Sequence, residues 1–154
     1  MLAQELTTLL EENHVYYKRL AHPTAYTAQG VAASVHVPGR EVAKTVVVRI
    51  DGKFVLAVLP APCRVDLERL RQAAGGQSAA LATEADLEAL FPDCEVGAEP
   101  PFGQIYGLPV WVDVSLVEDE WIVFNGGTHA EAVEIAYADF EQLAHPRIAG
   151  FARQ

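Results

Sequence analysis

The sequence predicts an α+β fold, a single domain over residues 1–154 with a mixed, largely antiparallel β-sheet flanked by helices. Three observations lead there. The chain has 154 residues of which 51% are hydrophobic, enough for one sizeable core and too few for a second. The stretch Glu41 to Pro60, EVAKTVVVRIDGKFVLAVLP, reads as two strands, Val42 to Ile50 and Lys53 to Leu59. They are joined by Asp51-Gly52, a dipeptide that supplies the positive φ angles of a tight hairpin turn. The remaining helical and strand patterns are mixed, without a strict βαβ rhythm, internal repeat or low-complexity segment.

Leu2, Leu6, Leu9 and Leu10 recur at helical spacing, predicting an amphipathic helix over the first dozen residues that ends near Asn13. Val15 to Leu20 follows as a strand, closed by His22-Pro23. Thr27 is an N-cap for a short helix whose Ala28, Val31, Ala32 and Val35 share one face, and Pro38-Gly39 ends it. Tyr26 then stands at that helix's start, near the hairpin's entry, where core packing with a satisfied hydroxyl is the simplest expectation. The runs Val46-Val47-Val48 and Phe54 to Val58 are too continuously apolar for strands with one wet face. The hairpin should therefore be central and covered on both sides.

After Pro60-Ala61-Pro62, a helix from about Asp66 to Ala74 turns Leu67 and Leu70 inward and stops at Gly75-Gly76. Thr83 to Asp86 has the spacing of a capping box, although Asp is shorter than the usual Glu or Gln; Leu87, Leu90 and Phe91 form that helix's buried face before Pro92. Val96 to Gly103, with two glycines and two prolines, is neither helix nor central strand and must be a shaped loop. Its prolines freeze φ and its glycines allow close backbone approach, so its N–H and C=O groups are held at low entropic cost. Strands resume over Leu108 to Val114, Trp121 to Asn125 and Val133 to Ala136, and Asp139 to Leu143 begins a terminal helix that Pro146 interrupts.

Composition narrows the function. Net charge is −10, which argues against duplex nucleic acid, and no DNA partner is expected. Between Arg40 and Arg71, however, seven basic residues face four acidic ones, a local +3 that leaves −13 on the rest. That asymmetry fits one small anionic group received near the hairpin, or simply a solvated mixed face. No apolar run approaches the roughly 20 residues that span a bilayer, and the N-terminal stretch lacks a basic region or cleavage site, so a cytoplasmic protein without a membrane partner is expected. Cys63 and Cys94 lack CxxC spacing and read as buried, inert thiols.

Much chemistry is absent. There is no GxxxxGK[ST], no GxGxxG between strand and helix, no GxSxG elbow, and His14, His22, His36, His129 and His145 show no metal-ligand spacing. Neither a metal nor a cofactor is expected. What stands out is Lys44, an ammonium on a buried strand that costs several kcal/mol to desolvate unless an anion meets it. With it go the rigid loop and a Gly126-Gly127 turn followed by Thr128 and His129. Such a set suffices for an activated ester, provided a water is held near the carbonyl and backbone donors receive the oxyanion.

The ordered set of His22-Pro23, Val42 to Val48, Gly97 to Gly103 and Asn125-Gly126-Gly127 resembles the YbaK/prolyl-tRNA synthetase-associated domain family across nearly the whole chain. The resemblance implies an aminoacyl-tRNA deacylase that hydrolyses the ester of tRNA charged with the wrong amino acid. Lys44 would grip the phosphate near the terminal adenosine and fix the ester, while Gly97 and Pro101 would bound a loop whose backbone positions carbonyl and water. Tyr26, Thr45, Phe102, Gly103, Gly126, Gly127 and His129 would line the substrate pocket. The proton would go to the terminal ribose hydroxyl or the substrate's own side chain. Thr45 stands where the alanine-editing branch often has asparagine, so alanine specificity does not transfer. His129 is either a donor to substrate or a partly exposed turn histidine. The implied partners are the aminoacyl-tRNA 3′ end and, given the acidic surface, a synthetase or elongation factor. A non-catalytic aminoacyl or nucleotide-binding module of the same fold, and a hydrolase of free small esters, are the alternatives.

Overall fold

A computed structural model describes residues 3–26, 30–32 and 37–154. The first helix, α1 (Gln4–Glu12), ends at Asn13 as its leucine spacing predicts, with Leu6 and Leu10 fully buried. Strand β1 (Tyr17–Ala21) begins two residues later than expected. Of the helix expected after it, residues 30–32 are helical with Val31 and Ala32 buried; Thr27, Ala28 and Val35 lie outside the described residues.

The hairpin is β2 (Ala43–Ile50) and β3 (Lys53–Pro60), paired from Ala43 with Pro60 down to Ile50 with Lys53. Asp51 and Gly52 take φ of 50° and 81°, the two positive values of a type I′ turn. Asp51 also accepts from the N–H groups of Gln77 at 2.8 Å and Ser78 at 2.9 Å, tying the turn to the approach of β5 (Ala79–Leu81). Between them lie β4 (Arg64–Val65) and α2 (Leu67–Ala74), whose Asp66 caps the N-terminus and whose Gly75, at φ 70°, ends it in the left-handed conformation. Helix α3 (Glu84–Leu90) starts with the reciprocal bonds of a capping box between Thr83 and Asp86.

The later elements are β6 (Val110–Asp113), β7 (Trp121–Asn125), β8 (Glu131–Ala136), α4 (Tyr137–Ala144), β9 (Arg147–Ala149) and β10 (Ala152–Arg153). Five strands form one sheet in the order β5-β2-β3-β6-β9, antiparallel up to β3 and parallel beyond it. Strands β1, β8 and β7 form a second, antiparallel sheet, and β10 pairs with β4.

The hairpin is covered on both faces, as its apolar runs require. Leu56 and Val58 join a core with α1, α4 and the second sheet, centred on Phe102, whose ring meets Phe124 and Phe140 at centroid distances of 5.6 and 5.7 Å. Val55, Ala57 and Leu59 join another core under Leu70 of α2 and Phe151. The strand pairing leaves one edge of the hairpin uncovered. Strand β5 covers β2 only over Val48 to Ile50, while Val42 makes a parallel bridge to Val123 of β7. Past that bridge β2 and β7 belong to different sheets, so a gap opens along the uncovered edge of β2 around Lys44 and Thr45.

Candidate active site

A cavity of about 240 Å3 fills that gap, lined by Tyr26, Ala43, Lys44, Thr45, Gly97, Glu99 and Asn125. A smaller one of about 180 Å3 adjoins it, sharing Thr45, Gly97 and Glu99 and continuing along Val46, Val47 and Leu87. Lys44 and Thr45 are consecutive on a strand and so project to opposite faces. Both reach the cavity because it wraps an edge of β2 that no strand covers.

Lys44 is half-buried, and burial holds its ammonium below the usual lysine range; Cys63 opposes that shift and Arg64 adds to it. Among the described residues no carboxylate lies within ion-pair distance of it. The other basic residues of the 40–71 segment behave as a solvated mixed face: Arg71 pairs with Glu68 and Arg69 with Asp66, while Arg40, Arg49, Lys53 and Arg64 are exposed. Lys53 lines a separate groove but is exposed, so Lys44 is the cation of this segment that is half-buried in a cavity without an ion pair among the described residues.

The Gly97 to Pro101 loop is held from behind by the Gly126-Gly127 turn. Glu95 N–H donates to Gly127 O at 2.8 Å and Gly127 N–H donates to Ala98 O at 3.0 Å. Gly127 needs its φ of 104° for this and packs so close to Ala3 that a Cβ would sit 3.1 Å from the Ala3 side chain. His129 closes the clamp: its backbone N–H donates to the Glu95 carboxylate at 2.9 Å and its Nε2 donates to Val96 O at 2.7 Å. A carbonyl only accepts, so Nε2 carries the proton and buried Nδ1 is left without a partner. The ring lies 4.9 Å from that of Tyr26.

These placements correct several expectations. Tyr26 is 76% exposed and walls the cavity mouth over His129, because the core beneath is already filled; it is not a core residue. His129 is 5% exposed, a buried clamp and not a partly exposed turn residue. Phe102 is the centre of the main core, and Gly103, where a Cβ would fall 2.0 Å from Leu108 O, is packed beneath it; neither lines the cavity. Gly126 and Gly127 are buried behind the loop and Pro101 is buried at its end, and none of the three lines the cavity. Of the residues singled out in the sequence, the structure brings Tyr26, Lys44, Thr45 and Gly97 together.

The oxyanion expectation also changes. Gly97 N–H is engaged by Glu99 Oε1 at 3.0 Å, Ala98 N–H by Glu95 O at 3.0 Å, and Pro100 and Pro101 have no N–H. Gly97 and Ala98 therefore have no free N–H for an oxyanion, and the side-chain donors lining the cavity are the Thr45 hydroxyl, the Lys44 ammonium and the Asn125 amide. Thr45 Oγ1 and Asn125 Oδ1 are buried without partners. Sequence reasoning gave no role to Glu99 or Asn125; the signal for Glu99 was a carboxylate inside a Gly/Pro loop. Cys94 and Cys63 are half-buried, and burial pushes the Cys94 thiol up to about 12, which makes it inert. Among the described residues no three His, Cys, Asp or Glu side chains are grouped to hold a metal ion, and no helix is long and apolar enough to cross a membrane.

Comparison with known proteins agrees with this architecture. The family described as aminoacyl-tRNA editing domain matches residues 22–143. A protein of Escherichia coli (strain K12) named multifunctional Ser/Thr-tRNA deacylase ProXp-y is 31% identical over 156 aligned positions, covering 97% of this chain and 92% of the relative. Among solved structures, a candidate trans-editing enzyme for prolyl tRNA synthetase superposes with a TM-score of 0.86 at 22% identity, covering 99% of this chain and 97% of the other. The hypothetical protein APE2540 superposes with a TM-score of 0.88 at 19% identity, covering 97% and 100%. The match over most of the chain settles the family: this protein belongs to the aminoacyl-tRNA editing domain family, a family of deacylases.

Proposed function

We propose that this protein deacylates mischarged aminoacyl-tRNA at the Lys44 cavity. The observation that carries the reading is that an unpaired, half-buried lysine and the clamped Gly97 loop line one small cavity in a chain of an editing family. At about 240 Å3 the cavity is below the roughly 300–1,000 Å3 of drug-sized ligand sites, which suits an aminoacyl group with a short side chain. Lys44 holds the phosphate next to the terminal adenosine. The Thr45 hydroxyl donates to the ester carbonyl, and the backbone of the Gly97 to Pro101 loop positions a water. Water oxygen adds to the carbonyl carbon, the acyl–ribose C–O bond breaks, and the ribose oxygen leaves as a hydroxyl, taking the proton that water gives up. No Ser-His or paired-carboxylate machinery is required, because the ester is already activated.

The Escherichia coli relative, named a Ser/Thr-tRNA deacylase, makes Ser-tRNA and Thr-tRNA the first substrates to offer. A net charge of −10 leaves the tRNA body to be held by a partner, a synthetase or an elongation factor, in the cytoplasm where charged tRNA is found. A complete panel of charged tRNAs tests the reading. Hydrolysis of at least one mischarged species, lost in Lys44→Ala, is the expected result; hydrolysis of none would leave only a binding module.

A further inference from the structure

Glu99 is the ionisable group that the proposed reaction leaves unused. It is 4% exposed, yet it lines both cavities. One carboxylate oxygen, Oε1, accepts from Gly97 N–H at 3.0 Å, and the carboxylate also accepts from Glu99's own backbone N–H, which holds it against the loop at the cavity wall. Burial raises the Glu99 carboxyl above its ordinary value, against the hydrogen bonds from its own and Gly97's backbone N–H groups and the field of His129, which favour the carboxylate. Lys44 lines the same cavity but makes no ion pair with it. Two opposite charges kept apart in one small cavity complement a ligand that carries both. An aminoacylated 3′ end is such a ligand, with a phosphate and, a few bonds beyond the ester, a free α-ammonium.

We propose that Glu99, together with the unpartnered Oδ1 of Asn125, is the seat for the α-ammonium of the aminoacyl group, so that the site selects an unblocked amine. This rests on the deacylase reading above and adds a specificity residue to it. The neighbouring acceptors agree: an ammonium offers three donors, and the cavity holds the buried, unpartnered oxygens Asn125 Oδ1 and Thr45 Oγ1 beside Glu99. A buried carboxylate that meets an ammonium is no longer an isolated charge, so substrate binding relieves the cost of burying it.

The test compares deacylation of Ser-tRNA and N-acetyl-Ser-tRNA by the full chain and by Glu99→Gln, which keeps an acceptor for Gly97 N–H but loses the charge. The expected result is at least a tenfold preference of the wild type for the free amine in kcat/KM. In Glu99→Gln, kcat/KM on Ser-tRNA falls at least tenfold, while that on the acetylated substrate stays within twofold. Glu99→Asp, which keeps the charge, retains the preference. Equal slowing of both substrates in Glu99→Gln would mean that Glu99 serves the water or the loop, and would overturn the proposal, as would a wild type indifferent to acetylation. Should the wild type cleave neither ester, the deacylase reading fails by itself. Calorimetry with the non-hydrolysable 3′-seryl-amido analogue of adenosine monophosphate and its N-acetyl form then decides the seat. A tenfold preference for the free amine that disappears in Glu99→Gln supports it, and equal affinities refute it.

Discussion

Lys44→Met separates function from stability more cleanly than any other substitution in this chain. Methionine keeps the unbranched stem that packs along β2 and removes only the ammonium. Among the described residues that ammonium has no carboxylate partner, and burial holds it below its ordinary value of 10.5. Between the lowered folded value and 10.5 the unfolded chain binds a proton that the folded chain does not, so wild-type stability rises with pH across that window. Below the window the whole cost of burying the charge is present. Methionine removes that cost, so at pH 7 the variant should be as stable as the wild type or more so. A gain of up to about 1 kcal/mol corresponds to about 2–4 °C in Tm for a chain of this size. Activity moves the other way. A charge-assisted contact to a phosphate is worth about 1.5–3 kcal/mol, and its loss lowers kcat/KM by roughly 10- to 150-fold. Because the contact is to a single-stranded 3′ end, the slope of log KM against log salt should also flatten by about 0.7. Single-turnover deacylation across a salt series, with thermal unfolding at pH 7 and above, reads all three quantities. A drop in Tm of several degrees would make Lys44 a structural residue, and an unchanged kcat/KM would remove it from the site.

Three further substitutions or treatments probe the frame around the cavity. His129→Ala loses the 2.7 Å bond to Val96 O and the buried ring, costing about 2–3 kcal/mol or roughly 4–12 °C in Tm, and should slow deacylation because the Gly97 loop is freed; unaltered unfolding would show that the clamp is idle. For Asp113, burial raises the carboxyl but the bonds it accepts from Ser115, Ala152 and Phe151 outweigh this and lower it from its ordinary 3.8. Its contribution is therefore present above pH 3.8 and lost as pH falls through the folded value, so Asp113→Asn should cost about 1–2 kcal/mol at neutral pH, with the gap from wild type closing on acidification of urea melts. Cys94, pushed up to about 12, has a thiolate fraction of about 10⁻⁴ at pH 8, and peptide mapping should find its iodoacetamide labelling slower than that of a free thiol by about three orders of magnitude; comparable rates would mean that the helix and loop around it open readily.

Features governed by neighbours in sequence were legible in it. Asp51-Gly52 fixes the hairpin, Thr83 and Asp86 cap one helix, Gly75 ends another, and the alternation of glycine and proline marks residues 96–103 as a shaped loop. The parallel pairing of β3 with β6 and the short strands β4, β5, β9 and β10 were not, since a strand of two or three residues has too few positions to show a period.

The site divides along the same line. Local chemistry marked Lys44 as a charge that burial discourages and Gly97 as a backbone position needing its φ of 87°, and the ordered motifs identified the family. Composition and spacing had no means of showing that Glu99 and Asn125 face the same cavity as Lys44, or that Phe102 turns away from it into the core. Those outcomes follow from the parallel bridge between Val42 and Val123, residues 81 positions apart, which sets two sheets side by side and then lets them diverge. Periodicity tells which face of a strand is buried. It is silent about which distant strand lies opposite, and a cavity exists only in the space between the two.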